Sequence, residues 1–444
     1  MATVAPGTKS PPSRLGARRR VKDYGRGVTY QIAGLPIAVR NSFGRQRTGP
    51  ERILRRAYAR RYWRPRSWSE RTQLMLALVT WPFALVGLQI SFTFKNGSAV
   101  ARQFHRPIHR QLVDQLRLYL GAGVLPPWYY IFELHREPST RNARDFVYRW
   151  ESKAGVLRLL KEGDSAPSSE LNDKAEFAEQ CRRNQIRTVP VLAVFGNGKA
   201  ELRADPVELD TDLFVKPIIG RGGKGAQRWD LVAPGLYRSP DAYPLGRDEL
   251  IARLAFESRA TPILVQPRLR NHPALEPLNN DALSTVRVLT CLNEANEPEI
   301  VGAAMRMAIG TNHVVDNLHA GGIATAVDLE TGTLGAASDL GADSRLGWMD
   351  RHPVSGAAIA GTQLPMWSEV RDFAIRAHRA FADRVLVGWD IAITPDGPVL
   401  VEGNGSPDLD IMQRFVRHGL MAARLGVLLA FHVAQVGFDQ IPVV

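Results

Sequence analysis

The chain has 444 residues, 45% hydrophobic and 23% charged, the balance of a folded globular protein with room for two or three domains. Two cysteines, Cys181 and Cys291, exclude a disulfide framework and a thiolate zinc site and point to a reducing compartment. With no apolar leader core after the start, secretion is not expected. The net charge of +13 sits at one end: residues 1–72 hold 18 Lys+Arg against 3 Asp+Glu, and the remainder is close to neutral.

Residues 1–72 read as a basic, partly disordered arm, loosest over 1–50 where Gly, Pro, Ser and Arg abound. Its stretch "RILRRAYARRYWRPRSW" interleaves bases with aromatics, which suits an anionic membrane surface; nucleic acid is the less favoured partner. The run at 72–92, "TQLMLALVTWPFALVGLQISF", is uncharged and long enough to cross a bilayer. Gln73, Gln89 and Pro82 interrupt it, and spanning would separate arm from body. A helical hairpin broken at Pro82, buried or interfacial, is therefore expected. The region 73–165 as a whole reads as mainly helical.

From about Ser165 strands dominate. "LNDKAEFAEQCRRNQI" reads as a helix capped by Asn172, followed by apolar strands in "TVPVLAVF", "TDLFVKPI", "PILVQPRL", "STVRVLTCL" and "EIVGAAMRM". "PMWSEVRDFAIRAHRAFAD" is an amphipathic helix with Trp367, Val370, Ala374, Ala377 and Phe381 on one face. A single helix from about 408 to 436 closes the chain. Strands with few helices between them indicate an α+β body.

"GWDIAITPDGPVLVEGN" is a hairpin around Pro395-Asp396-Gly397. A three-residue loop pairs Thr394 with Pro398, Ala392 with Leu400 and Asp390 with Glu402. Trp389, Ile391 and Ile393 then face the core with Val399 and Val401. Two opposed carboxylates repel each other. With Asn404 on the same face they form an oxygen set suited to a hard cation such as magnesium, completed by phosphates.

"FVKPIIGRGGKG" places Lys216 at a strand end before a turn holding Gly220, Gly222, Gly223, Lys224 and Gly225. Such a turn brings backbone N–H groups close to phosphate. It lacks the Gly-Lys-Ser/Thr of a P-loop. Lys174 offers a second ammonium. Arg287 and Arg306 lie on apolar strands and need anionic partners. No HExxH, GxSxG or Cys-His arrangement offers a side-chain nucleophile.

The order of these motifs resembles the ATP-grasp superfamily, in its sugar-transfer-associated branch near the glutamate-ligase-like proteins. It runs Lys174, "FVKPIIGRGGKG", "ILVQPRL", "STVRVLT" and "GWDIAITPDGPVLVEGN", with "HPVSGAAIAGTQLPMW" and "SPDLDIMQ" in support. The resemblance covers about 170–415, and 110–170 loosely. It implies two α+β subdomains gripping ATP, placed at 166–265 (with the glycine turn) and 266–444 (with the metal site). It implies that Lys174, Lys216 and the turn 220–225 contact the ATP phosphates, and that Val265, Gln266, Arg268 and Leu269 form the hinge beside adenine. Gln266 stands where many members have Glu. Arg287 would stabilise the transferred phosphate, with Lys216 also catalytic. Asp390, Glu402 and Asn404 would hold Mg2+, or Mn2+ in its place, and Arg306, Asp316 and Asn317 would contact substrate.

The implied activity is ATP-dependent carboxylate–amine ligation through an acyl phosphate, on a small carboxylate and an amine or sugar-derived substrate, in sugar or cell-surface polysaccharide metabolism. The expected location is the cytoplasm or the inner face of the membrane. A kinase acting on a small hydroxyl substrate and a non-catalytic ATP-binding scaffold are the alternatives.

Overall fold

Alternating apolar strands and basic, Pro-punctuated helices resolve into two antiparallel sheets and a helical N-terminal region. The computed structural model describes residues 14–43, 49–65, 67–162, 169–203, 209–220, 222–240, 242–310, 313–343 and 347–436. The N-terminal region holds α1 (Arg14–Phe43), α2 (Pro50–Trp63), α3 (Trp68–Phe104), α4 (Ile108–Ala122), α5 (Pro126–Ile131), α6 (Thr140–Asp145), a π-helical turn at Glu151–Val156, and α7 (Leu157–Glu162). Next come α8 (Lys174–Arg183), β1 (Ala193–Gly196), β2 (Lys199–Leu202), β3 (Leu213–Pro217), β4 (Gln227–Ala233), β5 (Leu236–Ser239), β6 (Ala242–Gly246), α9 (Arg247–Glu257) and β7 (Ile263–Pro267). The chain finishes with β8 (Thr285–Leu292), β9 (Pro298–Met307), β10 (Ile323–Val327), β11 (Leu334–Ser338), α10 (Trp367–Arg379), β12 (Leu386–Thr394), β13 (Gly397–Asn404), α11 (Leu409–Val416) and α12 (Arg424–Gln435).

The first sheet has the order β2-β1-β7-β3-β4-β5-β6 and the second β11-β10-β9-β8-β12-β13. Helix α10 covers one face of the second sheet: Trp367, Val370, Phe373, Ala374 and Ala377 share a core with Val288, Met305, Trp389 and Ile391. Leu171, Phe177 and Cys181 join that core, so α8 packs beneath the second sheet. Because β7 belongs to the first sheet, the division falls in the 268–284 connection and not at 265. Helices α11 and α12 pack with Leu289, Cys291 and Ala304.

Several expectations are corrected. The segment read as a loose arm contains α1 and α2, folded against the body; residues 1–13 lie outside the described residues. Part of its charge is spent internally. Arg55 sits between Glu51 at 2.5 Å and Glu151 at 3.0 Å, and Arg61 pairs with Glu70 at 3.2 Å. Pro82 does not break the apolar run into a hairpin. Helix α3 continues through it for 37 residues, its flank held by Trp81, Leu85 and Leu88 against the N-terminal core. One lost backbone bond is affordable where side-chain packing fixes the helix on both sides of the proline. The closing helix is two helices, because Arg417 is left-handed at φ 59°. Asp173, not Asn172, caps α8, its Oδ1 accepting from the N–H of Ala175 at 2.9 Å and of Glu176 at 3.1 Å.

Candidate functional site

The site is a cleft of about 620 Å³ between the two sheets. Strand pleating sets most of it. On β3, Lys216 reaches the cleft with its side chain nearly buried. Burial pulls its ammonium down to about 8. Glu402 and Asp390 act against that fall and Lys174 adds to it. Lys174 opens α8, and its Nζ donates to the carbonyls of Gly220 at 3.1 Å and Ile218 at 3.4 Å and lies 3.6 Å from Glu402. The glycine turn lines the cleft through Gly220, Gly222, Gly223 and Lys224. Gly223 has φ 69°, and a Cβ there would meet Val315 at 2.8 Å, so only glycine lets the turn lie this close to the 313–318 segment.

The second sheet supplies the opposite wall. Asp390 is buried and bound by two guanidiniums. Arg287 grips it through Nε and through Nη2 at 2.9 Å, and Arg306 reaches it through Nη2 at 2.9 Å. Burial alone would raise the Asp390 carboxyl, but Arg287 and Arg306 outweigh it and hold it below its ordinary value. Asp316 behaves oppositely. Burial raises it, although Arg306 lies 3.5 Å away and Thr285 donates both N–H and hydroxyl to it, at 2.8 and 2.5 Å.

The hairpin register differs from expectation and still brings the acids together. The loop has two residues, with Thr394 opposite Gly397, Ile393 opposite Pro398 and Ile391 opposite Leu400. A bulge then admits Val401 as an extra residue, and Asp390 faces Glu402 with Gly388 opposite Asn404. Leu400 therefore takes the core place expected for Val401, and Val401 lines the cleft beside Glu402.

Asp390, Glu402 and Asn404 line one wall with oxygen donors alone, which is the donor chemistry magnesium takes. Among the described residues no group of three or more His, Cys, Asp or Glu side chains is arranged for a metal. The set accordingly fits an ion that draws its remaining oxygens from phosphate and water.

The family model for sugar-transfer associated ATP-grasp matches residues 163–425, more than half of the chain. The chain belongs to this ATP-grasp family. No curated protein matches it. Among solved structures, the D-alanine–D-alanine ligase of Bacillus anthracis shares 14% identity at TM-score 0.34, over 61% of this chain and 69% of that one. D-cycloserine synthetase shares 13% at 0.32, over 61% and 70%. An N5-carboxyaminoimidazole ribonucleotide synthetase shares 13% at 0.32, over 54% and 46%.

In this ATP-grasp chain the cleft gathers Lys174, Lys216, Gly220, Gly222, Gly223, Lys224, Gln266, Arg268, Leu269, Arg287, Arg306, Asp316, Asn317, Asp390, Glu402 and Asn404. Gly225 completes the turn at φ 77°. Val265 is a correction: its side chain lies in the core of the first sheet, and its carbonyl accepts from Leu192 N–H at 2.8 Å. Period-two alternation puts it on the opposite face from Gln266, which does line the cleft. Gln266 Nε2 donates to the Val189 carbonyl at 3.0 Å, a bond that a glutamate carboxylate at this position could not make. Arg268 is tied to Asp230 at 3.3 Å and Asp281 at 3.0 Å. Asn317 caps the short turn Leu318–Ala320 through His319 N–H at 2.8 Å.

Sequence reasoning missed one side of the cleft. Arg26 and Tyr30 of α1 line it, as do Arg149 and Lys153 from the helical region. Arg149 binds Asp410 at 2.9 Å and lies 3.4 Å from Asp408, which Lys153 also contacts. The available signal was the opposite-charge pattern of "SPDLD" and Arg149/Lys153, four residues apart on one helical face.

Proposed function

We propose that the chain is an ATP-dependent ligase that activates a small carboxylate as its acyl phosphate and passes it to an amine or other nucleophile. The observation that carries this reading is the meeting, in one cleft, of two lysines and a glycine turn from one side with Arg287 and the Asp390–Glu402–Asn404 oxygens from the other. Lys216 and Lys174 would hold the β- and γ-phosphates, with the turn 220–225 laid over them and Gln266, Arg268 and Leu269 beside the base. Arg287 would meet the charge on the phosphoryl group as it leaves ADP. Magnesium, when bound, neutralises phosphate charge and orients the γ-phosphate; Asp390, Glu402 and Asn404 are the residues that would hold it. Arg306, Asp316 and Asn317, which line the same cleft, would contact the acceptor. The substrate carboxylate oxygen attacks the γ-phosphorus, ADP departs, and the amine nitrogen then displaces phosphate. No side-chain nucleophile is required.

In this reading the seven-stranded sheet holds nucleotide, the six-stranded sheet holds metal and phosphoryl group, and the N-terminal helices wall the remaining side. A role in sugar or cell-surface polysaccharide metabolism is supported by the family description alone, and a cytoplasmic site of action is proposed because ATP and magnesium are supplied there. The test is ATP-dependent trapping by hydroxylamine with pooled small carboxylic acids. Hydroxamate with equimolar ADP supports the ligase. A stable phosphorylated alcohol from a pool of hydroxyl compounds would establish the kinase instead, and nucleotide binding without turnover in either pool would establish the scaffold.

A further inference from the structure

Helix α3 has two apolar faces, and among the described residues the body covers only one. At about 100° per residue, Leu74, Trp81, Leu85, Leu88 and Phe92 fall in one arc, and these pack against the N-terminal core. Met75, Val79, Phe83, Val86, Ile90 and Phe94 fall in the opposite arc and are exposed, Phe83 to 79% and Phe94 to 89%. Helix α4 lies alongside. Trp81 stacks on Tyr119 at 6.0 Å, Gln89 donates to the Leu112 carbonyl at 3.3 Å, and α4 adds the exposed Leu112, Val113, Leu116 and Leu120. An uncovered apolar surface on two adjacent helices marks a binding face.

Charge identifies the occupant. Between Glu70 and Asp114 the chain carries no acidic residue, and Asp114 itself is buried against Arg106 at 2.6 Å. Arg71, Arg102, Arg110 and Arg117 are exposed on these two helices. Trp68, 78% exposed, sits at the start of α3 with Arg71 over its ring, as aromatic and basic residues do at a lipid headgroup layer. A second copy of the chain would set like charges against each other, whereas anionic headgroups neutralise them.

We propose that the α3–α4 face enters the interface of an anionic lipid bilayer, with both helices lying in the membrane plane. An in-plane seat agrees with the packing. Helix α3 is held through Gln111 to the Gly97 carbonyl at 2.9 Å, Gln115 to Thr93 at 3.0 Å and Tyr24 of α1 to Thr72 at 3.0 Å. A spanning α3 would have to break away from these partners or carry their polar groups into hydrocarbon. The seat lies on α3 and α4 and not on the basic arm, and in place of an interfacial hairpin broken at Pro82 it uses the continuous helix α3 beside α4.

The test is flotation of the full-length protein with phosphatidylcholine vesicles containing about 30% phosphatidylglycerol, beside vesicles of phosphatidylcholine alone. The protein should float with the anionic vesicles and much less with the neutral ones. Phe83→Asp/Ile90→Asp should lower its partition about tenfold or more, with circular dichroism and melting unchanged. If that pair misfolds, Phe94→Ser at an exposed position should give a smaller loss in the same direction. Arg110→Glu/Arg117→Glu should remove the preference for anionic vesicles. Equal flotation of wild type and the face variants would overturn the proposal. So would a dimer in light scattering that Phe83→Asp/Ile90→Asp dissociates while neither form floats. Resistance to alkaline carbonate extraction, with one side of α3 protected from protease, would replace the in-plane seat by a spanning helix.

Discussion

Lys216 should cost the protein stability in exchange for its grip on phosphate. Its ammonium is buried, and burial lowers it from 10.5 to about 8. At about 1.4 kcal/mol per tenfold change in proton affinity, keeping it charged in the fold costs roughly 3 kcal/mol. Below pH 8 both folded and unfolded chains carry the proton, and the full cost is present. Between pH 8 and 10.5 the unfolded chain still holds a proton that the folded protein has released. The sign of the linkage is therefore a stability that rises with pH across that window. Lys216→Met keeps the stem and removes the charge. It should raise the stability of the protein alone at pH 7 by up to about 3 kcal/mol, and this advantage should shrink between pH 8 and 10. The same variant should bind Mg-ATP about ten- to a hundredfold more weakly, the loss of one charged hydrogen bond to phosphate. Urea unfolding at several pH values with calorimetric nucleotide titration measures both. A variant less stable than wild type at pH 7, or a stability difference that ignores pH, would refute the buried-cation argument. Unchanged nucleotide affinity would refute the phosphate assignment.

Asp390→Asn should be the most destabilising change in the cleft, by about 3 kcal/mol or more in urea unfolding, because Arg287 and Arg306 would lose their shared buried anion. Glu402→Gln should leave the melting temperature almost unchanged, since its side chain is 36% exposed and its ion pair with Lys174 is long at 3.6 Å, but should lower metal-dependent turnover about a hundredfold. Gly223→Ala should raise KM for ATP more than it lowers kcat, because a Cβ at φ 69° pushes the turn off Val315. Gln266→Glu should destabilise the protein by about 1–3 kcal/mol, since glutamate cannot donate to the buried Val189 carbonyl; thermal melting checks this.

What was legible in the sequence had a short-range signature. The α10 face repeated at helical spacing, and all five residues picked from it, Trp367, Val370, Ala374, Ala377 and Phe381, are buried. The glycine turn and both lysines were visible as local chemistry, and they line one cleft. The arm was misread because composition reports how a segment behaves alone. Nothing local says that Arg55 will find Glu151, far along the chain, and fold α2 onto the body. The contribution of α1 to the cleft was hidden for the same reason: residues meeting from distant positions carry no spacing rule. Val265 was a different kind of error, since strand alternation already separates it from its neighbour Gln266.

The hairpin shows how a correct pairing can follow from an incorrect path. A loop one residue shorter than expected shifts every pair next to it, and Ala392 meets Val399 rather than Leu400. Uncorrected, that shift would place Asp390 opposite Val401 and turn Glu402 toward the core. The bulge restores the pairing by spending one residue, Val401, without a partner. It does so at the boundary between the part of the hairpin that needs a core register and the part that needs a cleft register. Leu400, Ile391 and Ile393 occupy the core side, while Val401, Glu402 and Asn404 occupy the cleft side. Bulges re-aim side chains in this way beside active sites, and their cost is an unpaired backbone residue. Deleting Val401 should therefore close a regular ladder in which Glu402 follows Leu400 directly and still faces Asp390. A deletion variant that folds should keep its metal-dependent turnover, measured beside thermal melting. A folded variant that lost turnover would show that the pairing alone does not aim Glu402 and that the bend of the bulge is needed as well.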